Sequence, residues 1–241
     1  MGLFDKKYCD ICGEKIGFLG NRKLEDGNLC KNCAAKLSPF FNERRHSTLA
    51  DIRAQLDYRE ANKADVAAFH VTRTIGSYTK VLLDEDAGNF VITDDGAHWR
   101  DANPDVIRFD QVTGCSMDVS EFKNELRTTD REGNSVSYNP PRYEYSYDFY
   151  MKVNVNSPWF DEIKFKINGS MITNRGSADY REAENEGQEI KEALTKVREG
   201  VRSTIEAAKA PKVAVTCPHC GATTVPDVNG CCEFCGGAIT G

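Results

Sequence analysis

Long apolar runs are missing from this chain: none approaches the roughly 20 residues that a membrane-spanning helix needs. The expectation is a protein with no membrane insertion. The first residues, Met1-Gly-Leu-Phe-Asp-Lys-Lys-Tyr8, lack the apolar stretch of a secretory leader. Lys6 stands where a myristoylation motif wants Ser or Thr. Both absences point to a cytoplasmic protein. Histidine is scarce, with four in 241 residues, and His46, His70, His98 and His219 form no two-histidine ligand motif. No glycine-rich phosphate loop, nucleophile elbow or nicotinamide fingerprint occurs, so no enzyme is predicted. Excess positive charge is lacking too. The chain carries 31 Lys and Arg against 37 Asp and Glu, for a net charge of −6. Residues 1–45 are the exception, with nine cationic residues against six acidic ones, whereas residues 46–168 have 14 against 21. No segment has the strongly basic face that nucleic acid usually selects, and nucleic acid is an unlikely main partner on this count.

Cysteine, by contrast, is plentiful, and most of it is paired. Cys9 and Cys12 are matched by Cys30 and Cys33, and Cys217 and Cys220 by Cys232 and Cys235. Two intervening residues let both sulfurs of a pair aim at one point. Two such pairs make a tetrahedral four-thiolate zinc site with no open coordination position. The expected cofactor is therefore structural Zn2+, two ions per chain. Redox chemistry at the pairs would want a βαβ setting, which is absent, and an iron–sulfur site is the other alternative. In a reducing compartment paired cysteines favour zinc over disulfides. Gly13, Gly221 and Gly236 each follow a pair, where a metal-binding turn needs a positive φ. Cys231 is the spare beside Cys232, whose spacing to Cys235 makes it the preferred ligand. Cys115, alone in a strand-like stretch, is expected to be a small buried apolar residue. His219, inside a pair, should point away from the metal.

In the first module Gly17, Gly20 and Gly27 break the intervening residues into a hairpin. Ala34, Ala35, Lys36 and Leu37 favour a helix that Ser38-Pro39 stops. A knuckle, a hairpin and a second pair entering a helix resemble the treble-clef zinc fold. Too small to fold on buried area alone, such a module depends on its metal. Thr48 with Asp51 resembles a capping box, and Leu49, Ile52 and Leu56 recur at helical spacing. That stripe is expected to pack on the following domain.

The middle of the chain reads as strand. Tyr143, Tyr145, Tyr147, Phe149, Met151, Val153 and Val155 fill every odd position, with mostly polar residues between. This is the period of a half-buried strand, long enough to require a bend or bulge. Ile163, Phe165 and Ile167 alternate next, and Phe69, Val71 and Ile75 do so upstream. Turns are expected at Asp84–Asn89, and a longer loop from Asp130 to Pro140-Pro141. A helix follows, with Ala183, Gly187, Ile190, Leu194, Val197, Val201, Ile205 and Ala208 stepping by three or four. It is expected to cap the sheet, with a coiled-coil seam as the alternative. Strands in series and one closing helix resemble a pleckstrin-homology-like domain over residues 66–208. The basic loop of lipid-binding members is missing, because Lys80 faces Asp84, Glu85 and Asp86.

The fold class is thus α+β: two small zinc-binding modules flank a mostly antiparallel, pleckstrin-homology-like β domain closed by a long amphipathic helix. The expected divisions are a treble-clef-like module at 1–42, a helical linker at 43–63, the β domain with its helix at 64–209, and a zinc ribbon at 212–241. Asp94, Asp95 and His98 beside Trp99 make one polar cluster, but Asp94-Asp-Gly96 after a strand reads as a turn. The functional expectation is a non-enzymatic protein-interaction or adaptor module with an unknown protein or peptide partner. A nucleic-acid-associated zinc-ribbon factor is the alternative, and a hydrolase using the Asp94–His98 loop is the further one.

The motifs Tyr8-Cys9-Asp-Ile-Cys12-Gly13 and Asn28-Leu-Cys30-Lys-Asn-Cys33, with the tract Asn139-Pro-Pro-Arg-Tyr143-Glu-Tyr-Ser-Tyr-Asp-Phe149, are similar to those of a family of uncharacterised bacterial proteins. That family begins with a double-pair zinc module. The resemblance implies a bacterial cytosolic protein that binds zinc, and it transfers no activity.

Overall fold

Alternating strands and capped helices give a mixed α+β architecture of mostly antiparallel sheets. The computed structural model describes residues 6–209, 214–226 and 230–239, the side chains of 196–209 excepted. The chain divides into two units, Met1–Val201 and Arg202–Gly241.

The first unit opens with a hairpin, β1 (Arg22–Lys23) and β2 (Asn28–Leu29), and a short helix α1 (Lys31–Ala34). Helix α1 starts before Cys33, not after it, because Cys30 is its N-cap and accepts from the Cys33 N–H. Helix α2 (Leu49–Ala68) begins at the expected capping box: Asp51 N–H reaches Thr48 Oγ1, and Thr48 N–H reaches Asp51 Oδ2. Its stripe does not pack on the following domain. Buried Ile52 and half-buried Leu49 and Leu56 join Leu24, Leu29, Leu37 and the first cysteines in one core. Asp26 Oδ1 accepts from the Leu49 N–H at 2.8 Å, which fixes the start of α2 against the hairpin.

Beyond Leu56 the buried face of α2 turns polar, and this half reaches the β domain. Arg59 pairs with Asp105 at 2.9 Å, and the Asp105 side chain is fully buried. Ser38 Oγ donates to the other carboxylate oxygen at 2.7 Å. Asn62 donates to the Pro104 carbonyl and accepts from the Val106 N–H. Asn103, at φ 49°, donates back to the Arg59 carbonyl. Val66 and the helix-ending Phe69 then pack with Leu82, Val91 and Trp99. One helix thus carries the first module at one end and the sheet at the other.

The first sheet is antiparallel in the order β3 (Arg73–Ile75), β4 (Lys80–Asp84), β5 (Asn89–Thr93), β6 (Ile107–Arg108). The strand expected from Phe69 starts later, at Arg73, because Phe69 is the C-cap of α2. The Asp84–Asn89 turn is as expected, with Asp84 opposite Asn89. Both faces of β4 and β5 are buried. Leu82 and Val91 meet the end of α2, while Val81, Leu83, Phe90 and Ile92 face the main core.

The second sheet runs β7 (Val112–Thr129), β8 (Ser135–Val155), β9 (Glu162–Lys166), again antiparallel. No long loop precedes Pro140-Pro141. The chain turns tightly at Asp130–Asn134, where Asp130 Oδ1 accepts from the Glu132 and Asn134 N–H groups, and β8 starts at Ser135. The prolines sit at a register shift: Leu126 faces Arg142, and Arg127 faces Ser137. Proline cannot donate to a ladder, and an irregularity is where a strand tolerates it.

From Tyr147 to Val155 the odd positions of β8 are buried, as the alternation predicts. Helix α3 (Ala178–Lys209) packs on this core through Ala183, Ile190, Ala193 and Leu194, and Tyr180 sets its ring edge-on to Tyr147 and Phe149. A Cβ on Gly187 would collide with Met117 Sδ and come within 2.9 Å of Ile167 Cδ1, so glycine allows the close approach of helix to sheet. The stripe positions Val197, Val201, Ile205 and Ala208 lie outside the residues whose side chains are described. The second unit includes a small antiparallel pair, β10 (Val215–Thr216) and β11 (Thr223–Thr224).

Candidate metal centres

Three turns in this chain share one construction. The N–H of Cys9 donates to the Glu14 carbonyl, and the Gly13 N–H returns to the Cys9 carbonyl. Cys217 with Ala222 and Gly221 repeats it, and so does Cys232 with Gly237 and Gly236. The three glycines take φ of 74°, 74° and 70°, the left-handed region that costs a side chain strain. Each turn buries the first sulfur of its pair, and in the first two turns amide N–H groups point at that sulfur.

The fourth pair is built differently. Cys30 and Cys33 sit at the start of α1, where the Cys33 N–H donates to Cys30 Sγ at 3.3 Å. The Cys30 N–H donates to Cys9 Sγ at 3.3 Å, which ties the turn to the helix. A knuckle, a hairpin and a helix thus follow in the order expected of the first module, and two knuckles make the second.

The structure brings together all eight thiols predicted as ligands, in two clusters. Cys9, Cys12, Cys30 and Cys33 form one, and Cys217, Cys220, Cys232 and Cys235 the other, with the sulfurs of each within 4.8 Å of one another. The closest are Cys12–Cys30 and Cys220–Cys232 at 3.7 Å and Cys217–Cys235 at 3.6 Å. A disulfide would need about 2.05 Å. Four sulfurs placed about 2.3 Å from a tetrahedral ion stand roughly 3.8 Å apart, so the spacing fits a four-thiolate metal. Each cluster can hold a metal ion. The ion would fix the two halves of each module and use up every donor, leaving no position for a substrate.

The electrostatics follow from that crowding. At Cys9, burial opposes ionisation, but the N–H groups of Cys12, Cys30 and Ile11 more than offset it, and the pKa falls to about 6. Cys217 falls to about 6 as well, with burial outweighed by the N–H groups of Cys220 and His219. Cys33 goes the other way, pushed far up by burial and then by the neighbouring thiols. At Cys235 the Gly237 N–H favours the thiolate, yet Cys220, burial, Cys217 and Cys232 raise it to about 12. Thiols this close resist ionising together, and a divalent cation at their centre removes that resistance.

The remaining candidates lie elsewhere. Cys231 stands outside the second cluster and bridges to Ala238, while Cys232 is the member that joins it. Cys115 is half-buried, not fully buried, at the margin of the main core, and burial lifts its thiol to about 11. His98 Nδ1 lies 3.4 Å from Asp101 Oδ2, both side chains more than four-fifths exposed, so the histidine faces Asp101 in solvent. Trp99 beside it is buried against Phe69. Sequence reasoning missed Asp105 and Arg59, whose pairing joins residues far apart in the chain and leaves no local pattern.

Among the described residues, no helix is long and apolar enough to cross a membrane. No curated protein and no solved structure matches the chain. Residues 7–55, which span the first cluster and the start of α2, are similar to a family described as a domain of unknown function (DUF4428).

Proposed function

We propose that this chain is a cytoplasmic, zinc-stabilised interaction module without catalytic activity, in which two structural Zn2+ ions hold the terminal modules. Its protein or peptide partner binds at the β domain. Seven strands in two antiparallel sheets, followed by one helix, support a pleckstrin-homology-like order for that domain.

The observation that carries the reading is the β7–β8 ribbon. Pairing continues from Val119↔Phe149 out to Thr129↔Ser135, whereas β9 accompanies β8 only over Tyr150–Asn154. Among the described residues, no strand pairs with the outer edges of 119–129 or 135–146. Phe122, Leu126 and Tyr143 are 49%, 40% and 43% exposed there, and Lys123 Nζ lies 3.9 Å from the Tyr143 ring centroid. An open edge beside exposed aromatic and aliphatic side chains is a template for an added strand.

Selection of displayed peptides on the metal-loaded full chain tests this. Extended peptides should be enriched, and Phe122→Lys/Tyr143→Lys should weaken their binding by tenfold or more. Enrichment that ignores the ribbon would contradict the reading. Nucleic acid is the second reading, favoured by Arg22, Lys23, Arg44 and Arg45 around one surface hollow. Retention on DNA or RNA that falls steeply with salt would support it.

A further inference from the structure

The first module exposes its most apolar turn. Gly20 N–H donates to the Gly17 carbonyl at 2.9 Å, which closes a tight turn with Phe18 and Leu19 at its centre. Phe18 is 94% and Leu19 78% exposed, although Ile16 beside them is buried at 8% and Leu24 at 1%. The module therefore has a core, and these two side chains are held out of it.

Cations surround that tip. Lys15 and Lys31 line one flank of it, with Glu14 as the one carboxylate there. On the other, Arg22 Nη1 donates to the Leu19 carbonyl at 3.3 Å, so its guanidinium touches the turn itself. Arg22 also borders an open hollow of about 700 Å³ together with Lys23, Arg44 and Arg45, where Glu25 is the single carboxylate. Arg44 Nη1 donates to the Lys23 carbonyl at 2.8 Å. Among the described residues, none of these cations has a carboxylate within ion-pair distance. Burial and then the neighbouring Arg22 and Arg45 charges press the Arg44 pKa down, as in a cluster that lacks counter-charge. Two nearby carboxylates are already engaged by the backbone, Asp10 by the Asn28 N–H and Asp26 by the Leu49 N–H.

We propose that the first zinc module docks peripherally on an anionic bilayer surface, with Phe18 and Leu19 in the interfacial layer and Arg22, Lys23, Arg44 and Arg45 on lipid phosphates. A protruding tip with one aromatic and one aliphatic residue suits hydrocarbon. A nucleic acid would gain from the aromatic face but nothing from Leu19. A ring of basic residues beside an apolar tip supplies the second, electrostatic attraction that weak interfacial anchors require. The docking spans nothing, and its contacts lie on the first module.

Co-sedimentation of the metal-loaded full chain with phosphatidylcholine vesicles, with and without phosphatidylserine, tests the proposal. The chain should pellet with the anionic vesicles only, less so as salt rises. Phe18→Ser/Leu19→Ser and, separately, Lys23→Glu/Arg45→Glu should each cut the partition by about tenfold or more, with metal content unchanged. In Phe18→Trp, fluorescence should shift to the blue with anionic vesicles and be quenched by brominated acyl chains. Failure to bind, equal binding to neutral vesicles, or indifference to Phe18 and Leu19 would overturn the proposal. So would retention on RNA that Lys23→Glu/Arg45→Glu abolishes and Phe18→Ser leaves intact, which would assign the cations to nucleic acid.

Discussion

The two cysteine modules use the same ligand set but stand on different foundations. The first surrounds its thiols with Leu24, Leu29, Leu37 and Ile52 and shares its core with α2. In the second, among the described residues, the buried side chains are Cys217, Cys232 and Thr224. There the cysteine cluster is nearly the whole core. In the first module the cysteines are one part of an apolar core that includes the start of α2. Identical coordination chemistry therefore carries different structural weight, set by how much apolar surface lies around it.

The sharpest way to break that comparison is to remove one ligand from each side. Structural zinc contributes about 10–16 kcal/mol to small metal-folded modules. Cys217→Ser should abolish amide protection in residues 214–226 and 230–239 while leaving β3–β9 protected. Cys9→Ser should expose the hairpin and the first turns of α2, yet leave residues 59–68 protected, because Arg59, Asn62 and Val66 are held by the sheet. Hydrogen exchange reads both. If α2 melts along its whole length in Cys9→Ser, the first metal supports more than its own module.

Next in size is the buried tether itself. Asp105→Ala leaves the Arg59 guanidinium buried without its carboxylate and should cost about 3–5 kcal/mol in thermal or urea unfolding. A loss under 1 kcal/mol would show that α2 is held by its apolar ends alone. Gly187→Ala tests the packing of α3 on the sheets, where a Cβ meets Met117 and Ile167, and should cost about 1–3 kcal/mol. An unchanged midpoint would mean that Met117 moves aside freely.

The smallest effect is on pH. Burial raises the Glu186 pKa despite hydrogen bonds from the Ser77 N–H and hydroxyl, and its Oε1 is buried without a partner. The folded state therefore holds this proton more tightly than the unfolded chain. Its contribution favours folding below the ordinary glutamate range and is lost as pH rises through the raised value. Glu186→Gln should flatten that part of the stability profile and leave neutral-pH stability equal or higher. A steeper decline with pH in the variant would contradict the assignment.

What could be read from sequence was whatever repeats over a few residues. The cysteine pairs with their glycines are local, and so they led directly to both clusters. The alternation in β8 located Tyr147, Phe149, Met151, Val153 and Val155 in the core, because one strand face meets one environment there. The same alternation continues through Tyr143 and Tyr145 into an exposed ribbon, since a period says which side a residue takes and not what covers it. The register shift at Pro140-Pro141 looked like a loop because proline is rare in ladders. The second half of α2 escaped notice for a related reason. Its buried face includes Arg59 and Asn62, polar residues whose partners at 103–106 lie more than 40 positions away.

The central claim is that eight thiols form two separate metal sites, and native mass spectrometry of the chain purified without added metal tests it most directly. Two zinc ions per chain are expected, falling to one in Cys9→Ser and to one in Cys217→Ser. A chain that carries no metal, with its mass lowered by disulfides between the pairs, would contradict the account.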